Sequence, residues 1–469
     1  MAEFTKNLTE NLKKIDKILR PEKSFDLIKR DLIIGERAAV LYFIDGFIKD
    51  EVFEKILEFL FKIKAEELQN IQDMGRYMKN FMPYVEVDTA DNTGSMVTAV
   101  LSGPAVLLID GISGALVIDV REYPTRSVGE PDKDRSLRGA RDGFLETLIF
   151  NTALLRRRIR DPRLRMEHFT VGSVSKVDVS LSYLDGVADE KLLKKLREKL
   201  KTLDIGSISM TGQAIAEKLV PTAFFNPFPK VRYTERPDYA SASVMEGKVL
   251  LLMDNSPLVM IFPTCFADFS READDYNFPR LTGSYIRILR IFIAIFTVLL
   301  TPFTLLIIND PALAPDWLKF MIPSDHAQLP IFVQLLLLEF IVDGLRLASL
   351  NTPDSLSNSL GIIGGLLLSE FAVKAGWFVP EAILYMAFVA IASYTQPSFE
   401  MGYAMKFIRI LTLIFTQLLG LWGFILGLLS GLCGLIFSKT LSGRGYFYPV
   451  IPFNLQNFIK LFVRTKIKH

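Results

Sequence analysis

Apolar positions are spread unevenly along this chain. Up to about residue 280 they form short runs between charge-rich stretches, and from Ile286 they form blocks long enough to enter a bilayer. In the first part, Ala38–Ile44 (AAVLYFI) has the pattern of a buried strand closed by Asp45-Gly46. A helix is predicted from about Asp50 to Lys64, with Val52, Phe53, Ile56, Leu57 and Leu60 on one face. The same grammar returns in Val177–Leu184, Asp185-Gly186 and a helix carrying Leu192, Leu193, Leu196 and Leu200. Leu41 and Asp45 map to Leu181 and Asp185 at an offset of 140, while Gly103 and Asp110 map to Gly247 and Asp254 at an offset of 144. Two anchors in the same order favour an internal duplication over generic strand–turn–helix grammar.

Between the anchors, Arg121–Arg165 is punctuated by Pro124 and Gly129-Glu130-Pro131. A helix is predicted from about Asp142, burying Leu145, Leu148, Ile149, Thr152 and Leu155. Its end carries Arg156, Arg157, Arg158 and Arg160, which suit a solvated helix C-terminus or inter-lobe salt bridges, with acidic headgroups or acidic partners as the alternative.

In the second part, Ile286–Ile308 is the clearest membrane span, with Arg287 and Arg290 at its cytosolic start. Pro330–Leu350 is equally apolar, yet Glu339, Asp343 and Arg346 fall on one helical face. Three explanations stand side by side: a polar lining for an ion path, a buried ion pair that fixes packing, and an amphipathic helix in the interface. Leu360–Phe378, with Glu370 and Lys374 at i, i+4, and Pro380–Ser393 follow as further apolar segments. Phe407–Phe437 is too long for one span. Gly423, Gly427 and Gly431 make a packing face within or between protomers, and its glycines equally permit two half-helices. Four spans plus one re-entrant or interfacial element would leave both termini in the cytosol.

Charge sharpens the division. Of 54 Lys+Arg and 52 Asp+Glu, 13 and 9 lie in residues 281–469, which leaves 41 and 43 for residues 1–280. The first part is net −2 and the second net +4, as a soluble region followed by a membrane domain should be. Neither has the basic excess of a nucleic-acid binder. The opening residues are polar and amphipathic, without a signal-peptide core, so the N-terminal region is expected in the cytosol. The fold class expected is a two-lobed, internally duplicated soluble α/β region followed by an α-helical multi-span membrane domain. Its parts are a polar lead-in (1–29), two subdomains (30–160 and 161–280), the membrane domain (281–440) and a basic cytosolic tail (441–469).

Chemistry is sparse. His168, His326 and His469 are isolated, and Cys265 and Cys433 have no zinc or disulfide spacing. No phosphate loop or nucleophile elbow occurs, so no enzyme, cofactor, catalytic residue or metal site is expected.

Three blocks carry a resemblance: EYPTRSVGEPDKDRSLRGARDGFLETLIFNTALLRRRI (122–159), YTERPDYASASVMEGKVLLLMDNSP (233–257) and LPIFVQLLLLEFIVDGLRLASLNTP (329–353). They resemble the A-subunit (GerA) family of spore germinant receptors, over residues 20–455, and among its branches the stage V sporulation type. The resemblance implies a multi-pass protein of the spore inner membrane, surrounded by lipid, forming homo-oligomers that conduct monovalent ions. It also implies a small partner membrane protein or other germination proteins as partners. The alternative it leaves is a subunit that relays a nutrient signal without conducting.

Overall fold

The computed structural model describes residues 3–123, 139–203, 211–220, 223–272, 274–324, 327–351, 364–365 and 371–464. The chain forms two compact units, Met1–Pro221 with Val231–Thr264, and Thr222–Lys230 with Cys265–His469. The longer segment of the second unit thus begins at Cys265, ahead of the apolar blocks that start at Ile286.

The first unit holds two five-stranded antiparallel sheets. One contains β1 (Leu27–Ile34), β2 (Arg37–Ile44), β3 (Val87–Ala90), β4 (Ala105–Ile109) and β5 (Ala115–Ile118), ordered β1-β2-β4-β5-β3. The other contains β6 (Leu164–Val171), β7 (Val177–Leu184), β8 (Arg232–Thr234), β9 (Val249–Met253) and β10 (Val259–Phe262), ordered β6-β7-β9-β10-β8. The order is the same with every strand advanced by five. Leu41 pairs with Leu107 in the first sheet and Leu181 with Leu251 in the second. These are the positions related by offsets of 140 and 144 in the sequence, so the shared pattern extends to strand register.

Each central strand is fully buried because helices cover both of its faces. The helix after β2 runs Asp50–Phe61 and buries Phe53, Ile56 and Leu60, ending before the expected Lys64. Its counterpart Glu190–Lys201 buries Leu192, Leu193, Leu196 and Leu200. The linker helix is shorter than its periodicity predicts: it runs Leu148–Arg158, and Ile149 is exposed. Asn151 explains the late start. Its side chain accepts from Leu145 N at 2.7 Å and donates to Leu145 O at 2.5 Å, which holds the preceding turn open.

Arg156 on this helix is buried and pairs with Asp26 through Nε at 2.8 Å and Nη2 at 3.1 Å, joining the linker to the start of the first sheet. Phe25 N donates to Met166 O at 3.0 Å and Arg165 Nη1 to Leu19 O at 2.6 Å across the same junction. The arginine run is therefore divided among partners: Arg157 stacks on Tyr123 with its guanidinium 4.5 Å from the ring centroid, and Arg158 binds Asp142 at 2.6 Å.

The second unit is helical. Among described helices, Arg280–Asn309 and Phe399–Phe437 are long and apolar enough to cross a membrane, with mean hydropathy 2.7 and 2.1. Phe399–Phe437 is a hairpin. At Gly420 φ is 56° and ψ −133°, a conformation open to glycine, and the chain doubles back there. Arms 399–419 and 421–437 lie antiparallel along the glycine ridge. A Cβ on Gly423 would strike the Phe415 carbonyl, one on Gly427 would sit 2.6 Å from Thr412 Cα, and one on Gly431 would sit 2.8 Å from Ile408. The long helices pack on each other, and Ile331–Leu350 and Pro380–Tyr394 pack beside them, with Leu335, Leu338, Met386, Val389 and Leu413 in a shared core. The expected segment Leu360–Phe378 lies largely outside the described residues.

Candidate functional site

The helical unit concentrates its buried charge at one place. Glu339, 1% exposed, extends from the middle of Ile331–Leu350 toward the first arm of the hairpin. Arg409 grips it with two bonds, Nε to Oε1 at 2.5 Å and Nη2 to Oε2 at 2.8 Å, and donates from Nη1 to Thr297 O at 3.1 Å. Three helices meet on that guanidinium. Lys406, one turn earlier, donates to Glu339 O at 3.0 Å and lies 2.5 Å from Asp343 Oδ2. Two acids thus face two bases, and the cluster carries no net charge. In low dielectric this is the arrangement that makes ionised groups tolerable, since each has its counter-charge and its hydrogen bonds.

The expected face of three charges is therefore split. Glu339 and Asp343 join the cluster, but Arg346 does not pair with them. Its guanidinium lies over Phe399 at 4.1 Å, Tyr394 at 5.4 Å and Tyr403 at 5.6 Å from the ring centroids, a cation–π cage. Lys374 is exposed at the end of the short helix Ala372–Lys374, and Glu370 lies outside the described residues. Gly423, Gly427 and Gly431 meet the chain's own first arm, as described above. Arg409 and Lys406 are the residues that sequence reasoning missed. Their signal was present: two bases three apart in an apolar segment complement two acids four apart in another.

A second polar cluster closes the start of the first long helix. Arg287 Nε lies 3.0 Å and Arg290 Nη1 3.2 Å from the fully buried Asp275. These arginines, read from the sequence as basic residues at the span's start, are buried partners of an acid.

In the first unit, a cavity of about 550 Å³ is bordered by Lys23, Phe25, Glu167, His168, Tyr183 and Arg197. Glu167 within it is already engaged: Arg197 holds it at 2.8 and 2.9 Å, and Tyr183 donates to the same carboxylate at 2.6 Å. Among the described residues no group of three or more His, Cys, Asp or Glu is placed to hold a metal.

An α/β unit with two sheets, joined in one chain to apolar helices of which two are long enough to cross a bilayer, points to a membrane-associated protein. Residues 13–469 match the Bacillus/Clostridium GerA spore germination protein family, and the chain belongs to it. Stage V sporulation protein AF of Bacillus subtilis (strain 168) is 34% identical over 94% of this chain and 89% of its own length. Spore germination protein KA of the same organism is 30% identical over 97% of this chain and 82% of its own. Of solved structures, the N-terminal domain of the A subunit of the Bacillus megaterium spore germinant receptor GerK3 aligns at 27% identity and a TM-score of 0.41, covering 55% of this chain and 96% of that one.

Proposed function

We propose that this spore germination protein is an oligomeric channel for monovalent cations in the spore inner membrane, and that it triggers or amplifies ion release. On this reading the chain crosses the membrane several times, with the N-terminal region and the C-terminal tail on the cytosolic, core side. The two sheets are duplicated copies of one subdomain (30–160 and 161–280), residues 281–440 form the conducting part, and a small membrane protein assists as partner.

One observation carries the reading. From Phe340 onward, no described residue of Ile331–Leu350 is buried by the chain's own neighbours; Asp343 keeps 29% of its side chain open, and Gly344 faces open space. An apolar helix with a half-open carboxylate is suited to line a path shared with other copies, and acidic rings favour cations. The relay reading has its own support, because Arg409 neutralises Glu339 inside the protomer and removes one acid from any such ring. Reconstitution of the purified full chain in potassium-loaded liposomes separates the two: flux supports conduction, and a sealed vesicle holding the assembled protein supports relay.

A further inference from the structure

The last described helix, Leu455–Phe462, is capped by the Asn454 side chain, which accepts from Asn457 N at 3.0 Å. On a helical projection Leu455, Phe458, Ile459, Leu461 and Phe462 fall in one arc, and Gln456, Asn457 and Lys460 in the other. The chain buries none of these residues, and Phe453, Leu455, Ile459 and Val463 are exposed.

The helix is tethered at a definite depth. Arg287 Nη1 donates to Lys460 O at 3.0 Å, and Arg464 N donates to Ser284 Oγ at 3.0 Å. Arg280–Asn309 has 30 residues, and at ~1.5 Å per residue it is ~45 Å long. A bilayer core takes ~30 Å of that and the headgroup layers bring the total to ~40–45 Å. Asn309 touches Gln417 beside the hairpin's turn, which marks the far end. Counted back from there, the hydrocarbon core reaches about Arg290, and the turns bearing Ser284 and Arg287 cross the headgroup layer. Leu281, Tyr285 and Ile288 remain exposed along those same turns.

Two further features lie at this end. From Ser438 to Arg464 the chain carries Lys439, Arg444, Lys460 and Arg464 and no acid. The loop after residue 222 is held to the hairpin's last turn, where Asn226 Nδ2 donates to Ser438 Oγ at 2.6 Å; on that loop Phe224 and Phe225 are 95% and 93% exposed.

We propose that Leu455–Phe462 is a membrane-surface anchor lying in the bilayer plane where Arg280–Asn309 begins. Its apolar arc rests in the acyl boundary, and Lys460 faces anionic headgroups. Apolar burial plus attraction to anionic lipid is how such helices bind. Phe224 and Phe225 dip into the same leaflet. The inference rests on the membrane reading above, and its test separates the two.

The test is site-directed spin labelling of the full chain carrying Cys265→Ser and Cys433→Ser, reconstituted in phosphatidylglycerol–phosphatidylcholine vesicles. Labels are placed singly through Leu455→Cys, Ile459→Cys, Gln456→Cys and Lys460→Cys, with Ile295→Cys as the reference inside the span. Collision rates with oxygen and with a water-soluble nickel chelate are compared. Oxygen exceeds nickel at 295, 455 and 459, and nickel exceeds oxygen at 456 and 460, if the proposal holds. Nickel dominance at 455 and 459 with 295 still in lipid overturns the anchor and leaves the span intact. Protection of 455 and 459 from both reagents means that protein covers the helix, which also overturns it. Nickel dominance at 295 removes the membrane reading itself.

Discussion

Glu339 and Arg409 form a two-bond ion pair, 70 residues apart in sequence and buried together where three helices meet. The pair couples Ile331–Leu350 to the hairpin, and the Arg409 bond to Thr297 O extends the connection to the first long helix. Any movement of one of these helices against another must break a charge-assisted bond. A cluster of this kind holds one arrangement of the bundle against its neighbours.

Removing one partner should therefore be costly. Glu339→Gln leaves the Arg409 guanidinium without its counter-charge, and breaking a buried pair costs ~3–5 kcal/mol. The expected result is reduced yield and a lower melting temperature in detergent. Glu339→Leu combined with Arg409→Met should recover most of the loss.

The hairpin makes a separate prediction. Gly427→Leu places a side chain against the Thr412 backbone, which cannot rotate away. Overpacking of this kind costs ~1–3 kcal/mol or more. Leu429→Ile, at an exposed position on the same arm, should be tolerated. Thermal unfolding of the two purified variants compares them.

At the junction of the two sheets, Arg156→Met strands the buried Asp26 carboxylate, and a loss of ~3–5 kcal/mol is expected. Hydrogen exchange should quicken in β1 and β6 first, because Ser24 and Phe25 join those strands beside the pair.

The acid limb of stability is also predictable. Burial pushes the Glu167 carboxyl up, but hydrogen bonds from Arg197 and Tyr183 outweigh it and hold the group below its ordinary value. A depressed carboxylate adds stability above its unfolded pKa of ~4.3, and this is lost as pH falls through the lower folded value. Glu167→Gln should thus lower stability at neutral pH and flatten its decline in acid. Denaturation midpoints across that range read the difference.

Much of this was legible in residue patterns. The strand–Asp-Gly–helix repeat was legible because apolar runs and turn glycines are local signals, but the strand order within each sheet was not, since strand pairing is non-local. The offset of 140 residues related Leu41 to Leu181, while their pairing with Leu107 and Leu251 came only from the structure. The charge cluster was half legible. Glu339 and Asp343 stood out in an apolar run, but their partners come from a distant helix, and pairing across 70 residues leaves no periodic trace. Arg346, on the same face, was drawn to aromatic rings instead. Helix starts set by a side chain bonded to the backbone, as Asn151 does before Leu148, are invisible to periodicity because a polar bond leaves no hydrophobic pattern. The glycine ridge showed that close packing occurs; only the reversal at Gly420 identified the partner as the chain itself.

Conduction is measured most directly by single-channel recording of the purified full chain in planar bilayers, wild type beside Asp343→Asn. Asp343 is the acid left partly open, and its loss should spare assembly because Lys406, its partner, keeps a second counter-charge in Glu339 Oε2 at 3.3 Å. Cation-selective openings are expected in wild type, and reduced conductance or selectivity in assembled Asp343→Asn. Wild-type oligomer that inserts and stays silent would contradict the proposed conduction.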